Sequence, residues 1–147
     1  MARFELGTDG PTHILVGVDG SDTSLRAAAY AAGLARRQGS QLIVLFVKTL
    51  PTTSIGAPET TAAVNQNQDE IAADLKREID ANAPRLGLEV ELVVREGNPY
   101  SELLRLADER RVDAIVVGAS MQAGHKLVGS LASKLVRKAT WPVTVVP

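Results

Sequence analysis

Cysteine is absent from this 147-residue chain, and aromatic side chains make up only 3% of it. The absence of cysteine excludes disulfides, iron–sulfur clusters, thiolate zinc sites and cysteine nucleophiles. No apolar run approaches the roughly 20 residues that a membrane-spanning helix needs. The polar residues 1–11 also lack the apolar segment of a signal peptide. We therefore expect a cytoplasmic protein with no membrane partner.

An excess of charge of either sign is also missing, because 16 basic residues are balanced by 17 acidic ones and the formal net charge is −1. This balance argues against a broad basic surface, so no nucleic-acid partner is expected. The two histidines, His13 and His125, lie far apart in the sequence and no H-E-x-x-H spacing occurs. We therefore expect no metal site in the protein itself.

Short apolar runs alternate with amphipathic stretches, which is typical of repeated βα units. The predicted strands span residues 14–18, 42–47, 88–94, 114–117 and 142–147, and helices follow the turns at 19–22, 98–99 and 129–130. A further helix is predicted over about 69–83, closed by Pro84 and Gly87, after a polar loop over about 48–60. The pattern predicts an α/β fold: a single open, doubly wound, mostly parallel five-stranded sheet of order about 3-2-1-4-5, with helices on both faces. Residues 1–11 are predicted to be a flexible segment and residues 12–147 one domain.

Ligands of such a sheet bind beyond the carboxyl ends of the strands, at the point where the strand order reverses. Strands one and four flank this switch point, and they are followed by Asp19-Gly20-Ser21 and by a segment from Gly118 to Gly129-Ser130. Glycine-bearing turns that lead into helix N-termini suit a phosphate, because backbone N–H groups and the positive helix end can receive it. The dinucleotide fingerprint G-x-G-x-x-G and the P-loop motif are both missing, which argues against a dehydrogenase or a P-loop enzyme.

Each of these residues also has a purely structural interpretation. Asp19 could bind a ribose or an adenine, or it could cap the first helix, and Gly118 could admit a ligand or simply end a strand. At Gly129-Ser130, helix capping and phosphate binding use the same N–H groups, so the two interpretations are compatible. Neither Ser21 nor Ser130 has a G-x-S-x-G context or a histidine partner. We therefore expect that the protein is not an enzyme, with slow nucleotide hydrolysis as the one activity that is not excluded.

The run Ile14–Ser21, taken together with Val116–Ser120, Gly129-Ser130 and Trp141–Val146, resembles the universal stress protein family over residues 12–147. The resemblance implies a stress-response module that binds ATP or a related adenine nucleotide, with or without Mg²⁺, at the switch point between strands one and four. It also implies which residues contact the nucleotide. They are Val18, Asp19, Gly20, Ser21, Val47, Gly118, Ser120, Gly124, Gly129 and Ser130.

The glycine motif of nucleotide-binding members is matched here only in part. Gly118 corresponds to its first glycine and Gly129-Ser130 to its closing pair, whereas Met121 stands where the second glycine belongs. The interval from Gly118 to Gly129 is two residues shorter than in the family, and Gly124 is the candidate replacement for the missing glycine. The alternative function is therefore a dimeric interaction protein that binds no nucleotide and carries a degenerate ATP motif.

The last strand, residues 143–146, is predicted to lie at an edge of the sheet, where an exposed apolar strand must be covered. Universal stress proteins commonly cover this edge by antiparallel pairing with the same strand of a second copy. The resemblance therefore implies a homodimer formed through residues 143–146.

Overall fold

The structure, a computed structural model, describes residues 10–49, 58–120 and 129–147, without the side chains of residues 58–65. The strands are β1 (His13–Val18), β2 (Gln41–Lys48), β3 (Val90–Glu96), β4 (Ala114–Gly118) and β5 (Val143–Val146). The helices are α1 (Asp22–Gln38), α2 (Pro58–Leu86), α3 (Pro99–Glu109) and α4 (Ser130–Lys138). Most of the N-terminal segment that was predicted to be flexible lies outside the described residues.

The five strands form one sheet in the order β3-β2-β1-β4-β5, and all four neighbouring pairs are parallel. Val16 of β1 is paired with Val44 on one side and Val116 on the other, so β1 is central. Such a strand is covered by helices on both faces and needs apolar residues along its whole length. The predicted α/β fold and strand order are confirmed.

Alternate side chains of the central strands enter two separate cores. Leu15 lies in a cluster that α3 and α4 complete, whereas Ile14 and Val16 lie in a cluster with the alanines of α1. Ala27, Ala31 and Ala35 are all 0% exposed, and their small side chains let α1 approach the sheet closely. The helices therefore form a layer on each face.

The predicted bounds of α2 are wrong at both ends. The helix extends from Pro58 to Leu86, so it includes part of the predicted 48–60 loop, of which residues 50–57 lie outside the described residues. Proline is favourable at a first helical position, where the missing N–H has no intrahelical acceptor in any case. Pro84 does not close the helix, because in the last turn it removes only its own hydrogen bond. The helix ends at Gly87 (φ +64°), where Leu88 N donates to Ala83 O.

Among the described residues, no helix is both long enough and apolar enough to cross a membrane.

Candidate functional site

The turn after β1 is held by its own side chains. The Oδ1 atom of Asp19 accepts a hydrogen bond from the Ser21 amide at 2.9 Å, and Ser21 is the N-cap of α1, its hydroxyl accepting from the Ser24 amide at 3.3 Å. Gly20 has a φ of +86°, which disfavours any side chain, and a Cβ there would lie 3.2 Å from Ile71 of α2. The Asp19 carboxylate therefore supports the turn, whereas the cap of α1, which was the structural role considered for Asp19, is provided by Ser21.

The end of β4 is in close contact with the start of α1. A Cβ on Gly118 would lie 2.5 Å from the carbonyl carbon of Thr23 and 2.6 Å from the Ser24 amide. Real Cβ atoms do not approach other atoms so closely, so this position requires glycine. The close neighbour is α1 itself, a reason that was not among the two foreseen for Gly118.

Ser120 and Thr23 tie the two turns together. Their hydroxyl oxygens lie 2.7 Å apart, and the Ser120 amide donates to Thr23 Oγ1 at 3.3 Å. Sequence reasoning selected Ser120 but missed Thr23. A usable signal was present, because Thr23 stands four residues before Ala27 and therefore at the head of the apolar stripe of α1.

The third part of the site is the start of α4. Gly129 is its N-cap and is buried, and its amide donates to Ala119 O at 2.5 Å, which fixes the helix start beside the end of β4. Its N-cap, Gly129, makes no side-chain cap hydrogen bond, and Ser130 is exposed at the first helical position. The first amides of a helix have no intrahelical acceptor, so the exposed first turn is suited to an anion.

Val18 and Val47 lie near the ends of β1 and β2 but do not present their side chains to the crevice. Val18 is 0% exposed and belongs to the core on the α1 side, whereas Val47 is 6% exposed and belongs to the core on the α3 side. A ligand at these positions would therefore meet the main chain. Gly124, Met121, His125 and Lys126 lie outside the described residues.

Gln68 is a buried polar residue beside the end of β2 that the sequence analysis missed. It is only 9% exposed, and its Nε2 donates to Thr49 O at 3.0 Å, while its buried Oε1 has no hydrogen-bond partner among the described residues. Like Thr23, it is a polar residue at the head of an apolar helical stripe, three residues before Ile71.

Two charged groups beside the end of β2, Lys48 and Asp69, are paired with each other. Lys48, the last residue of β2, forms an ion pair with Asp69 at 2.5 Å, and this hydrogen bond raises the pKa of Lys48. Lys48 therefore keeps its positive charge at neutral pH, with Asp69 as its counter-ion. Across the described ranges, no three His, Asp or Glu side chains are grouped so that they could hold a metal ion.

Comparison with known proteins gives consistent results. Residues 11–147 match the universal stress protein family. Universal stress protein YxiE of Bacillus subtilis is 32% identical over 149 aligned positions, which cover 90% of this chain and 97% of that protein. A solved universal stress protein in complex with cAMP is 27% identical, with a TM-score of 0.69 over 93% of this chain and 97% of that one. A universal stress protein from Archaeoglobus fulgidus in complex with dAMP is 25% identical, with a TM-score of 0.60 over 92% of this chain and 98% of that one.

Proposed function

Because the chain belongs to the universal stress protein family, we propose that it binds an adenine nucleotide in the crevice at the carboxyl ends of β1 and β4. The observation that carries the proposal is the position of α4. The Gly129 amide, bonded to Ala119 O, holds the exposed first turn of α4 directly beside the end of β4. The cAMP and dAMP complexes of two similar proteins support an adenine nucleotide as the ligand class.

Different parts of the crevice would hold different parts of the nucleotide. The phosphates would lie on the first-turn amides of α4 at Gly129-Ser130, where the helix dipole favours negative charge. The nucleoside would lie across the Asp19-Gly20-Ser21 turn, with the adenine towards the main chain at the end of β2. ATP is the expected ligand, and AMP and cyclic AMP are the related nucleotides to compare with it.

In this proposal the protein acts as a binding module rather than an enzyme, in the cytoplasm and as a homodimer. Asp19 would be the residue to test for slow nucleotide hydrolysis. Its Oδ1 already accepts a hydrogen bond from the Ser21 amide, so the carboxylate also has a structural role. Phosphate release that disappears in Asp19→Ala, while the variant keeps its fold and its nucleotide affinity, would contradict the purely binding role.

A second candidate function, a dimeric interaction protein without a nucleotide, is favoured by a specific observation. In this chain the close approach at Gly118 is made by α1, and the Ser120 hydroxyl is bonded to Thr23. Two groups that the family resemblance assigns to the ligand are therefore in contact with the protein itself. Met121 in place of the second glycine points the same way.

The deciding experiment is calorimetric titration with ATP, AMP and cAMP, each with and without Mg²⁺, after mass spectrometry of the purified protein for a retained nucleotide. The key variant is Ser130→Asp, which places a negative charge at the proposed phosphate site. The matched control is Ser101→Asp in the first turn of α3, which also begins a helix but lies outside the crevice. Both substitutions place a negative charge near the positive end of a helix dipole, which is favourable, so both variants should fold.

We expect Ser130→Asp to lower nucleotide affinity at least about tenfold, a difference of roughly 1.4 kcal/mol, and Ser101→Asp to leave it unchanged. If the two variants had equal nucleotide affinities, the proposal that the phosphates bind at the start of α4 would be wrong. The absence of both binding heat and retained nucleotide in the parent protein would favour the interaction protein instead.

A further inference from the structure

An apolar groove lies between α1 and α2, on the face of the sheet formed by β2 and β3. Its volume is about 480 Å³, and its floor includes Leu42, Val44 and Val90. This volume lies within the range of roughly 300–1,000 Å³ that is usual for small-molecule sites, which are also mostly apolar with a few polar groups. The groove runs along a helix layer, from Leu25 in the first turn of α1 to Arg36 in its last turn, and none of its lining residues is among those assigned to the nucleotide.

The groove exists because α1 presents small residues where a helix would normally fill the space. Ala28, Ala29, Ala32 and Gly33 line it from α1, and Leu75 and Ile79 are among the α2 residues that line the other side. A Cβ added to Gly33 would meet no atom of the described residues within 4 Å, apart from its chain neighbours and the backbone of its own helix. At one end Leu25 remains 45% exposed, which is high for a leucine that lines a groove. Among the described residues, none fills this space.

The two rims of the groove differ in charge. On the α2 rim, Glu78 accepts a hydrogen bond from Asn82 Nδ2 at 3.2 Å, and Asn82 Oδ1 in turn accepts from Arg85 at 3.0 Å. On the α1 rim, Arg36 forms no hydrogen bond or ion pair with any of the described residues. The groove therefore combines apolar walls with two charged groups, the Glu78 carboxylate on the α2 rim and the Arg36 guanidinium on the α1 rim. Of these two, only Arg36 lacks a hydrogen-bond partner among the described residues.

We propose that this groove binds an amphipathic anion, a small molecule with an apolar chain or ring and one carboxylate group. The apolar body would lie against the small residues of α1 and the floor of the sheet, where burial removes apolar surface from water. The carboxylate would pair with Arg36, whose planar guanidinium can donate two parallel hydrogen bonds to it. A cation of the same shape would meet Arg36 with like charge and could pair only with Glu78, whose carboxylate already accepts a hydrogen bond from Asn82, so it should bind worse.

The test uses decanoate as the probe, with decylamine as the probe of opposite charge, both titrated below the concentrations at which they form micelles. Three variants separate the contributions. Gly33→Leu fills the groove without backbone strain, Arg36→Gln removes the charge at the rim, and Arg37→Gln removes the neighbouring exposed charge that does not line the groove. Thermal unfolding of each variant checks that the fold is kept.

We expect saturable binding of decanoate, at least about tenfold weaker binding of decylamine, and a similar tenfold loss of decanoate affinity in Arg36→Gln. Arg37→Gln should bind like the parent protein, and Gly33→Leu should not bind measurably. Equal binding of the two probes, or equal effects of the two arginine variants, would overturn the proposal. So would a fall in sedimentation mass caused by Gly33→Leu, since the groove would then be an interface between two copies of the chain.

Discussion

At the scale of single residues, Asp113 joins two parts of the chain that are about a hundred positions apart. Its Oδ2 atom accepts hydrogen bonds from the Thr12 amide at 2.8 Å, the His13 amide at 3.0 Å and the Thr12 hydroxyl at 3.0 Å. Burial by itself would raise the pKa of Asp113, but the amides of His13 and Thr12 and the Thr12 hydroxyl lower it below the ordinary value of 3.8. The ionised carboxylate therefore fixes the start of β1 beside the start of β4.

This linkage predicts a pH-dependent loss of stability in Asp113→Asn. Since the folded-state pKa is below the unfolded one, the contribution is fully present above about pH 4 and is lost as the pH falls through the folded-state pKa. We expect the variant to have a free energy of unfolding lower by on the order of 1 kcal/mol at pH 7, with the difference vanishing in acid. Urea unfolding at a series of pH values measures it.

Thr12→Val is the companion variant, because it removes one of the three donors and keeps the two amides. The free energy of unfolding at pH 7 should fall less in Thr12→Val than in Asp113→Asn. Other carboxylates with lowered pKa values, such as Glu91 beside Arg110, are common to all three proteins and cancel in the comparison. A deficit in Asp113→Asn that is the same at pH 3 and pH 7 would refute the linkage.

Residue identity at the crevice could be predicted better than residue role. The turns that follow the strands predict that Gly20 and Gly118 are important. The sequence does not predict that the close neighbour of Gly118 is α1, because that contact depends on how the helix packs on the sheet. Thr23 and Gln68 were missed because a polar residue within a helix is normally solvated. Their position at the head of an apolar stripe is the feature that distinguishes them.

At the scale of elements, three helices end with the same backbone arrangement. After α1, α2 and α3 a residue with positive φ follows, and the next amide donates to the carbonyl five residues before it. For α1 and α2 this residue is Gly39 or Gly87, but for α3 it is Arg111, with a φ of +49°. A side chain in the left-handed region costs roughly 1 kcal/mol, which glycine avoids.

Arg111→Gly should therefore raise the free energy of unfolding, by roughly 0.5–1 kcal/mol. The control is Arg37→Gly, an exposed arginine in the last turn of α1 with ordinary helical geometry, where glycine should lower stability by a similar amount. Chemical unfolding of the two variants should give shifts of opposite sign. A loss of stability in Arg111→Gly would mean that the arginine side chain contributes more than its backbone conformation costs.

The helix ends explain which element bounds could be predicted. Asn98 and Pro99 mark the start of α3 by local chemistry alone, since Asn98 Oδ1 accepts the Ser101 amide at 3.0 Å. The start of α2 at Pro58 lacks such a marker, because the polar residues after it show no apolar periodicity. Local caps are readable in a sequence, whereas a long polar first half of a helix is not.

At the scale of the whole molecule, strand order could be predicted because alternating βα units leave few alternatives. The same order leaves β5 with a neighbour on one side only. The carbonyls of Pro142, just before β5, and of Val146, at its end, accept hydrogen bonds from the Ile115 amide of β4 and from the Ala119 amide that follows β4. Since successive residues of a strand direct their backbone groups to opposite sides, the N–H groups of Val143 and Val145 point away from β4, towards the open edge.

The expected homodimer can therefore be tested through one backbone group. Val145→Pro removes an outward N–H and leaves the hydrogen bonds to β4 intact, and proline is tolerated on edge strands. Val145→Ala removes similar apolar packing and keeps the N–H. In sedimentation at equal concentrations, Val145→Ala should remain a dimer and Val145→Pro should be a monomer with unchanged helical circular dichroism. If both variants kept the mass of the parent protein, any dimer would use another surface, and β5 would need some other means of avoiding edge-to-edge aggregation.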